Sequence, residues 1–255
     1  MAKSHFLLPL CLTVATAQSA VAQSFAHEGS TVTLSFNFHN DNEDDPYSEN
    51  YTTHLSAASA YSFGGAFGAV FTLAYENEEY TDSFYSERYL IDVNPTYNFG
   101  PGTIGLYYSA IRSNDGDEQT NDETYGLSAT FASGPVTAES YIGVYEEDGG
   151  FVSDTLGLGG SYAFGGGAAA YVTHQRDTLS NDNYRAFTAI GASYDLSAVT
   201  GAPVVVAAEA GRHSFDNLSL SESEWNQFGI SASYNFGGGA QSMFQGLRSY
   251  DFYYD

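Results

Sequence analysis

The sequence predicts an all-β protein: a transmembrane antiparallel β-barrel of about 12 strands, preceded by a cleaved signal peptide. Three observations predict this class. Apolar and polar residues alternate with a period of two along most of the chain. Aromatic residues followed by Gly or Pro turns recur at intervals of 31 to 40 residues. Aromatic residues make up 16% of the chain, with 21 Tyr and 18 Phe.

Composition excludes several other classes. The chain has 255 residues, with 31 Asp and Glu against 7 Lys and Arg, which gives a formal net charge of −24. Nucleic acid is therefore not an expected partner, because binding a phosphate backbone requires basic side chains. After residue 22 no apolar run approaches the roughly 20 residues of a membrane-spanning helix. The aromatic content argues against intrinsic disorder.

The N-terminus has the features of a secretory signal peptide over residues 1–22. Lys3 provides the positive charge, residues 6–15 are mainly apolar, and Ala20 and Ala22 form a small-residue cleavage site. The one cysteine of the chain, Cys11, lies in this segment. We therefore expect an exported mature chain without disulfides or thiolate metal sites.

The alternating segments predict the strands in order. Residues 30–40 carry Val32, Leu34, Phe36 and Phe38 on one face and polar residues on the other, and eleven further segments follow the same rule. The predicted strands are 30–40, 51–63, 66–76, 85–99, 103–113, 124–133, 136–147, 155–164, 168–177, 184–196, 204–215 and 225–236.

Strand length and turn asymmetry favour a barrel over a soluble β-sandwich, which would also alternate. Most segments exceed the usual 5 or 6 residues of a soluble strand. Mostly short Gly or Pro turns follow the even strands, and longer acidic loops follow the odd ones, the third spanning 114–123. Aromatic doublets lie beside the short turns, where an interfacial girdle is expected. The barrel is predicted over 23–238, with strand 12 closing on strand 1 and a tail, 239–255, docking at the periplasmic rim or in the lumen.

Repeated turns carry a family resemblance. Tyr61-Ser62-Phe63-Gly64-Gly65, Tyr97-Asn98-Phe99-Gly100, Tyr162-Ala163-Phe164-Gly165 and Tyr234-Asn235-Phe236-Gly237 recur from hairpin to hairpin. In this the sequence resembles the porin-like outer-membrane barrels of alphaproteobacteria. The resemblance implies a Gram-negative outer-membrane location and a role in solute diffusion.

Strand parity assigns the residues that line the lumen. Asp92, Tyr141 and Glu209 point inward near mid-strand, Glu139 and Asp195 lie lower, and Arg88 and Arg185 lie nearer the loops. One interpretation is a water-filled acidic channel. The other is a lumen closed by side chains, with the two Arg neutralised by carboxylates.

Catalytic and metal sites are not predicted. His54 and Ser56 have the His-x-Ser spacing of outer-membrane lipid hydrolases, but parity points both into the lumen, away from lipid. Acidic clusters occur within 41–49, 76–87 and 115–123, and clustered carboxylates can bind Ca²⁺ or Mg²⁺, yet none matches a calcium-loop motif. We expect no cofactor and no catalytic residue.

The predicted function is a porin-like channel for passive diffusion of small hydrophilic solutes, with a preference for cations. Arg112, Arg176 and Arg212 fall on the lipid-facing parity near the long loops, where we expect contact with lipopolysaccharide phosphates. Outer-membrane lipids and small solutes or cations are the expected partners. The alternatives are a structural or adhesion barrel with a filled lumen, and a lipid hydrolase.

Overall fold

A closed antiparallel barrel of twelve strands forms the described part of the protein. The computed structural model describes residues 25–41, 49–80, 85–115, 118–146, 152–179, 183–216 and 223–237. Each strand pairs with its neighbours in sequence, and β1 pairs with β12. The strands are β1 Phe25–Asp41, β2 Glu49–Phe63, β3 Phe67–Tyr80, β4 Tyr85–Asn98, β5 Gly102–Asp115, β6 Glu118–Ser133, β7 Val136–Glu146, β8 Val152–Gly165, β9 Ala168–Leu179, β10 Tyr184–Asp195, β11 Val204–Asp216 and β12 Ser223–Phe236.

The seam between β1 and β12 closes the barrel. Its register runs from Ser30 opposite Phe236 to Asp41 opposite Trp225 without a shift. A closed sheet leaves no strand edge unpaired, which hydrocarbon requires because it offers backbone groups no hydrogen-bond partners. The predicted twelve strands and their closure are confirmed. The predicted signal peptide and tail lie outside the described residues.

The two faces of the sheet are inverted relative to a soluble protein. Apolar side chains point outward, with Leu73 at 59% and Ile190 at 66% relative exposure. The small polar side chains of the opposite face are buried, with Ser35 at 0% and Thr72 at 1%. A soluble sandwich would bury the apolar face instead, so the barrel interpretation is the correct one.

An aromatic girdle encircles the barrel at the end with the short turns. Phe67 and Tyr97 of adjacent strands have ring centroids 5.1 Å apart, and both are exposed. Tyr234 and Phe236 lie 4.5 Å apart at the same end. These rings lie where the sequence predicted a girdle, at the level of a membrane interface.

The predicted acidic loops are shorter than expected, because the strands continue into them. Glu76 and Glu79 belong to β3, and Glu87 belongs to β4. The predicted ten-residue loop 114–123 is wrong: Asp115 pairs with Glu118, so only 116–117 separate β5 from β6. Polar residues can continue a ladder once it has left the hydrocarbon, because water then solvates both faces.

The connection after β10 also differs from the predicted short turn. A single helical turn, α1 Ser197–Thr200, lies between β10 and β11, and Gly201 ends it with φ 72°. Among the described residues no helix is long and apolar enough to cross a membrane.

Inward aromatic rings lie over glycines of neighbouring strands. The Tyr141 ring of β7 covers Gly157 of β8, and the Tyr171 ring of β9 covers Gly191 of β10, so that a Cβ at either glycine would overlap the ring. A Cβ at Gly143 of β7 would likewise overlap the hydroxyl group of Tyr107 of β5. These tyrosine side chains approach the inner wall closely because glycine leaves space for them.

Gly157 provides a test of this packing, with Gly160 on the same strand as its control. In Gly157→Ala the new methyl group overlaps the Tyr141 ring, and overpacking of this kind costs about 1–3 kcal/mol. In Gly160→Ala the methyl group has no atom within 4 Å. In urea titrations of the refolded barrel, we expect a lower unfolding midpoint for Gly157→Ala alone. Equal midpoints for the two variants would contradict the packing described.

Candidate functional site

The inner wall of the barrel is the candidate site, and it contains the acidic residues predicted from parity. Glu209 of β11 lies on the inward face with 3% exposure. Asp92 of β4 and Glu139 of β7 share this face and are partly buried. Tyr141 also points inward, since its ring contacts that of Tyr107 at 5.9 Å. Their part in conduction stays a prediction.

Arg88 forms a buried cluster with two carboxylates of the adjacent strand. Its Nη1 donates to Oε1 of Glu76 at 2.8 Å, and its Nη2 donates to Oε2 of Glu78 at 3.3 Å. Arg88 is 3% exposed and Glu76 is 4% exposed. One guanidinium therefore faces two carboxylates, and when both are ionised the cluster keeps a net negative charge.

Arg185, on the opposite side of the barrel, contacts an aromatic ring. Its guanidinium carbon lies 5.3 Å from the ring centroid of Phe215, in cation–π geometry. In the register of β9 and β10 it stands opposite Asp177. An acidic side chain thus accompanies each inward arginine, as the filled-lumen interpretation expected.

Several inward carboxylates were missed by the sequence analysis. Glu76, Asp122 and Asp177 are all buried on the inner face, with exposures of 4%, 2% and 3%. Asp177 could have been found, since it follows outward Arg176 at the end of a predicted strand. Asp122 could not, because it was placed in a loop.

Asp195 lies at the short-turn rim. Its Oδ1 accepts a hydrogen bond from the backbone N–H of Ser197 at 2.8 Å, which fixes the start of α1. This carboxylate therefore has a structural contact at the barrel end, in addition to its predicted place on the lumen wall.

A cluster of aromatic and histidine rings lines β10 to β12 near the long connections. The His213 ring stacks on Trp225 with centroids 4.8 Å apart and an interplanar angle of 4°. Phe187 lies 4.3 Å from the same ring, and Nε2 of His213 is 2.6 Å from Oε1 of Gln227. This cluster was not predicted from the sequence, because its members are distant along the chain.

His54 and Ser56, the residues on which the lipid-hydrolase alternative depends, face the interior of the barrel. His54 and Ser56 are buried on the inner wall, with 1% and 8% exposure. Nδ1 of His54 lies 3.4 Å from the hydroxyl of Ser35 on β1. A lipid ester in the surrounding membrane would not meet these groups, because the barrel wall lies between them and the lipid.

The three outward arginines are exposed, as parity predicted. The guanidinium carbon of Arg176 lies 4.5 Å from the ring centroid of Tyr184. Arg212 is paired with Glu224 of β12. Arg112 is exposed on β5. Acidic side chains share this outer rim, since Tyr125 donates to Glu146 at 2.8 Å and Tyr75 donates to Glu87 at 3.1 Å.

Within the described ranges, no three His, Cys, Asp or Glu side chains come together in a way that could hold a metal ion. Much of the predicted acidic loop 41–49 lies outside those ranges.

Comparison with known proteins yields a family and a set of similar folds. The family model described as Gram-negative porin matches residues 13–183, more than half of the chain. The chain has no match among curated proteins.

Two similar solved structures are of the KdgM porin. For KdgM in complex with disordered oligogalacturonate the TM-score is 0.57 at 12% identity, covering 80% of this chain and 98% of that one. For KdgM alone it is 0.56, with the same identity and coverage. An anion-selective porin from Comamonas acidovorans has a TM-score of 0.45 at 10% identity, covering 84% of this chain and all of that one. At these identities the likeness shows the barrel fold alone.

Proposed function

The chain belongs to the family of Gram-negative porins, and we propose that it conducts small hydrophilic solutes by passive diffusion, with a preference for cations. We place it among the alphaproteobacterial members, on the basis of its repeated aromatic-glycine turns. Transport here requires no covalent chemistry, so no residue is assigned a catalytic role.

The observation that carries this proposal is the polarity of the enclosed wall. The strands direct apolar side chains to the outside and many hydroxyl, amide or carboxylate side chains and glycines to the inside, beside inward apolar residues such as Leu90, Ile111 and Phe187. A barrel serving only as a scaffold could fill its interior with apolar residues, as soluble cores do. A polar interior instead gives a hydrated solute groups with which to exchange hydrogen bonds.

Cation preference follows from the balance of inward charges. The carboxylates of Asp92, Asp122 and Glu209 add to the Arg88 cluster, whereas Arg88 and Arg185 are the inward arginines of the described strands. A low-dielectric wall focuses the field of such charges and raises the local cation concentration. Salt at 0.15 M screens exposed charges beyond about 8 Å, so the inner carboxylates dominate over the rim.

Reversal potentials under a KCl gradient test this proposal. We expect a cation-selective sign for the wild-type channel, weakening as salt rises. In Asp92→Asn/Glu209→Gln the potential should move toward zero, because two inward charges are lost. Asp154→Asn is the matched control, since this exposed carboxylate lies on the outward face of β8. An anion-selective sign would exclude the acidic-lumen mechanism, and an unchanged potential in the double variant would exclude these two residues from it.

A filled-lumen structural barrel is the second candidate, and one observation favours it. Inward side chains in the half near the long connections are almost fully buried, such as Thr52 and His54 at 1% exposure. Such packing would leave little room for an unhydrated ion. A lack of conductance in planar bilayers would favour this candidate over the channel.

The N-terminal segment and the three outward arginines relate the chain to the outer membrane. We propose that cleavage after Ala22 yields a mature chain beginning at Gln23, and that Arg112, Arg176 and Arg212 bind lipopolysaccharide phosphates at the outer interface. An arginine on the lipid side costs only about 0–1 kcal/mol near that interface. Its planar guanidinium suits bidentate phosphate contact.

Lipopolysaccharide retention tests the arginine assignment. The triple variant Arg112→Gln/Arg176→Gln/Arg212→Gln should bind less lipopolysaccharide than wild type, because three phosphate partners are removed. The amount retained by purified protein is the measurement. Inward Arg185→Gln is the control and should bind as much as wild type. If the triple variant retained the wild-type amount, the arginines would serve only to pair with neighbours such as Glu224.

A further inference from the structure

The inner wall beside the β1–β12 seam is more deeply buried than its own side chains explain. From Thr31 to Asn37 every inward residue of β1 is small and polar, and none is more than 6% exposed. Thr33 is 2% and Ser35 is 0% exposed. On the other side of the seam, Ser233 of β12 is 3% exposed.

Residues of the same types on the opposite wall are more accessible. Thr130 lies three residues before the end of β6, as Ser233 does on β12. Thr130 and its cross-strand neighbour Thr103 are only half-buried, and so is Thr137 of β7. The concave shape of the wall therefore does not account for the burial at the seam.

The side chains that neighbour the seam are too short to cover it. Thr33 stands between Ser56 of β2 and Ser233 of β12, and its hydroxyl oxygen lies 2.9 Å from that of Ser233. A barrel of about eight strands can fill its interior with side chains, and the diameter grows with strand number. Twelve strands with such small side chains leave space in front of the seam. The burial therefore requires a further segment of the chain at this place.

Residues 238–255, which lie outside the described residues, are the segment best placed to supply this cover. β12 ends at Phe236 beside the seam, and Gly237 follows with φ 86°, a left-handed conformation that turns the chain away from the strand direction. Gly238 and Gly239 add further backbone freedom. A fully extended chain of this length reaches about 60 Å, more than the length of β12.

The connection 42–48 is too short to supply the cover. It joins the far ends of β1 and β2, and a chain of this length that leaves and returns extends only about 12 Å from its anchors. Thr31 lies ten residues before the end of β1, a distance of about 34 Å. Residues 1–22 are absent from the mature chain that we propose.

The composition of residues 238–255 suits a polar and acidic lumen. Gln241, Ser242 and Gln245 can exchange hydrogen bonds with the hydroxyl groups of the wall. Arg248 is the one basic residue of the segment. Inward carboxylates outnumber inward arginines on the described strands, and a guanidinium group pairs well with a carboxylate.

We propose that residues 240–255 turn back into the lumen and lie along the β1–β12 seam as a tethered plug. The plug narrows the path to the side of the lumen where Thr130 and Thr137 stay accessible. Solute passage then depends on how often the segment leaves the seam. This effect on passage rests on the proposed channel function, whereas the placement of the segment does not.

Cross-linking of the full mature chain in detergent tests the placement. A short bifunctional methanethiosulfonate reagent is applied to Thr33→Cys/Ser242→Cys, and mass spectrometry of the digested protein measures the linked fraction. Leu34→Cys/Ser242→Cys is the matched control, because Leu34 is the next residue of β1 and is 40% exposed on the lipid side. We expect at least fivefold more linked product for the Thr33 pair than for the Leu34 pair.

Two results would overturn the placement. One is equal linking of the Thr33 and Leu34 pairs. The other is linking of Thr33→Cys to Asp44→Cys, in the connection 42–48, without linking to Ser242→Cys. If Thr33→Cys prevents refolding, Ser233→Cys replaces it, with outward Ala232→Cys as its control.

Single-channel recording tests the restriction of passage. The reagent is held by disulfides, so reduction releases the link. We expect the linked Thr33→Cys/Ser242→Cys protein to conduct at least threefold less than the same protein after reduction. In the chain without introduced cysteines, Arg248→Gln should raise the open fraction, because it removes an ion pair with the wall, and Arg248→Lys should behave as wild type.

The outcomes separate this inference from the proposed function. An unchanged current on linking, or an open fraction in Arg248→Gln equal to that of wild type, would overturn the plug and leave the channel intact. A lack of current in every state would contradict the channel, and cross-linking would still decide where the segment lies.

Discussion

Backbone hydrogen bonding in hydrocarbon is the constraint on which the rest of this structure depends. Lipid tails offer no partner to an N–H or C=O group, so the sheet must close, and here it does so through the unshifted pairing of β1 with β12. Closure fixes which face of each strand meets lipid. Period-two alternation then places apolar side chains outside and polar side chains inside, and the lumen receives its chemistry as a consequence.

A barrel of twelve strands has limited interior space, and glycine decides how that space is used. Beside Gly143, Gly157 and Gly191, the side chains of Tyr107, Tyr141 and Tyr171 approach the wall closely. A side chain at those glycines would push the rings toward the barrel axis. The wall can therefore carry aromatic surface beside its carboxylates.

Most of the fold and part of the candidate site could be predicted from the sequence. Alternation identified twelve strands and the inward parity of Asp92 and Glu209. The pattern is informative because a register error of one residue would move every side chain of a strand to the opposite face. The alternation pattern did not predict where the strands end. Beyond the hydrocarbon, outward residues need not be apolar, so the pattern fades while the hydrogen-bonded ladder continues. Asp122 was therefore assigned to a loop, and Glu76, the last residue of the predicted strand 66–76, was counted with the acidic loop residues, although the structure buries both on the inner wall.

The central claim is that the inward face encloses a path for solutes, and thiol labelling at adjacent residues of β6 tests it most directly. The single natural cysteine, Cys11, lies in the predicted signal peptide, so an introduced thiol would be unique in the mature chain. Ser128 faces inward, where its hydroxyl accepts from Asn94 Nδ2 at 3.3 Å, while Leu127 is 52% exposed on the lipid side. A charged methanethiosulfonate reagent should reduce single-channel conductance in Ser128→Cys and leave it unchanged in Leu127→Cys. Unaltered conductance after modification of Ser128→Cys would contradict the account.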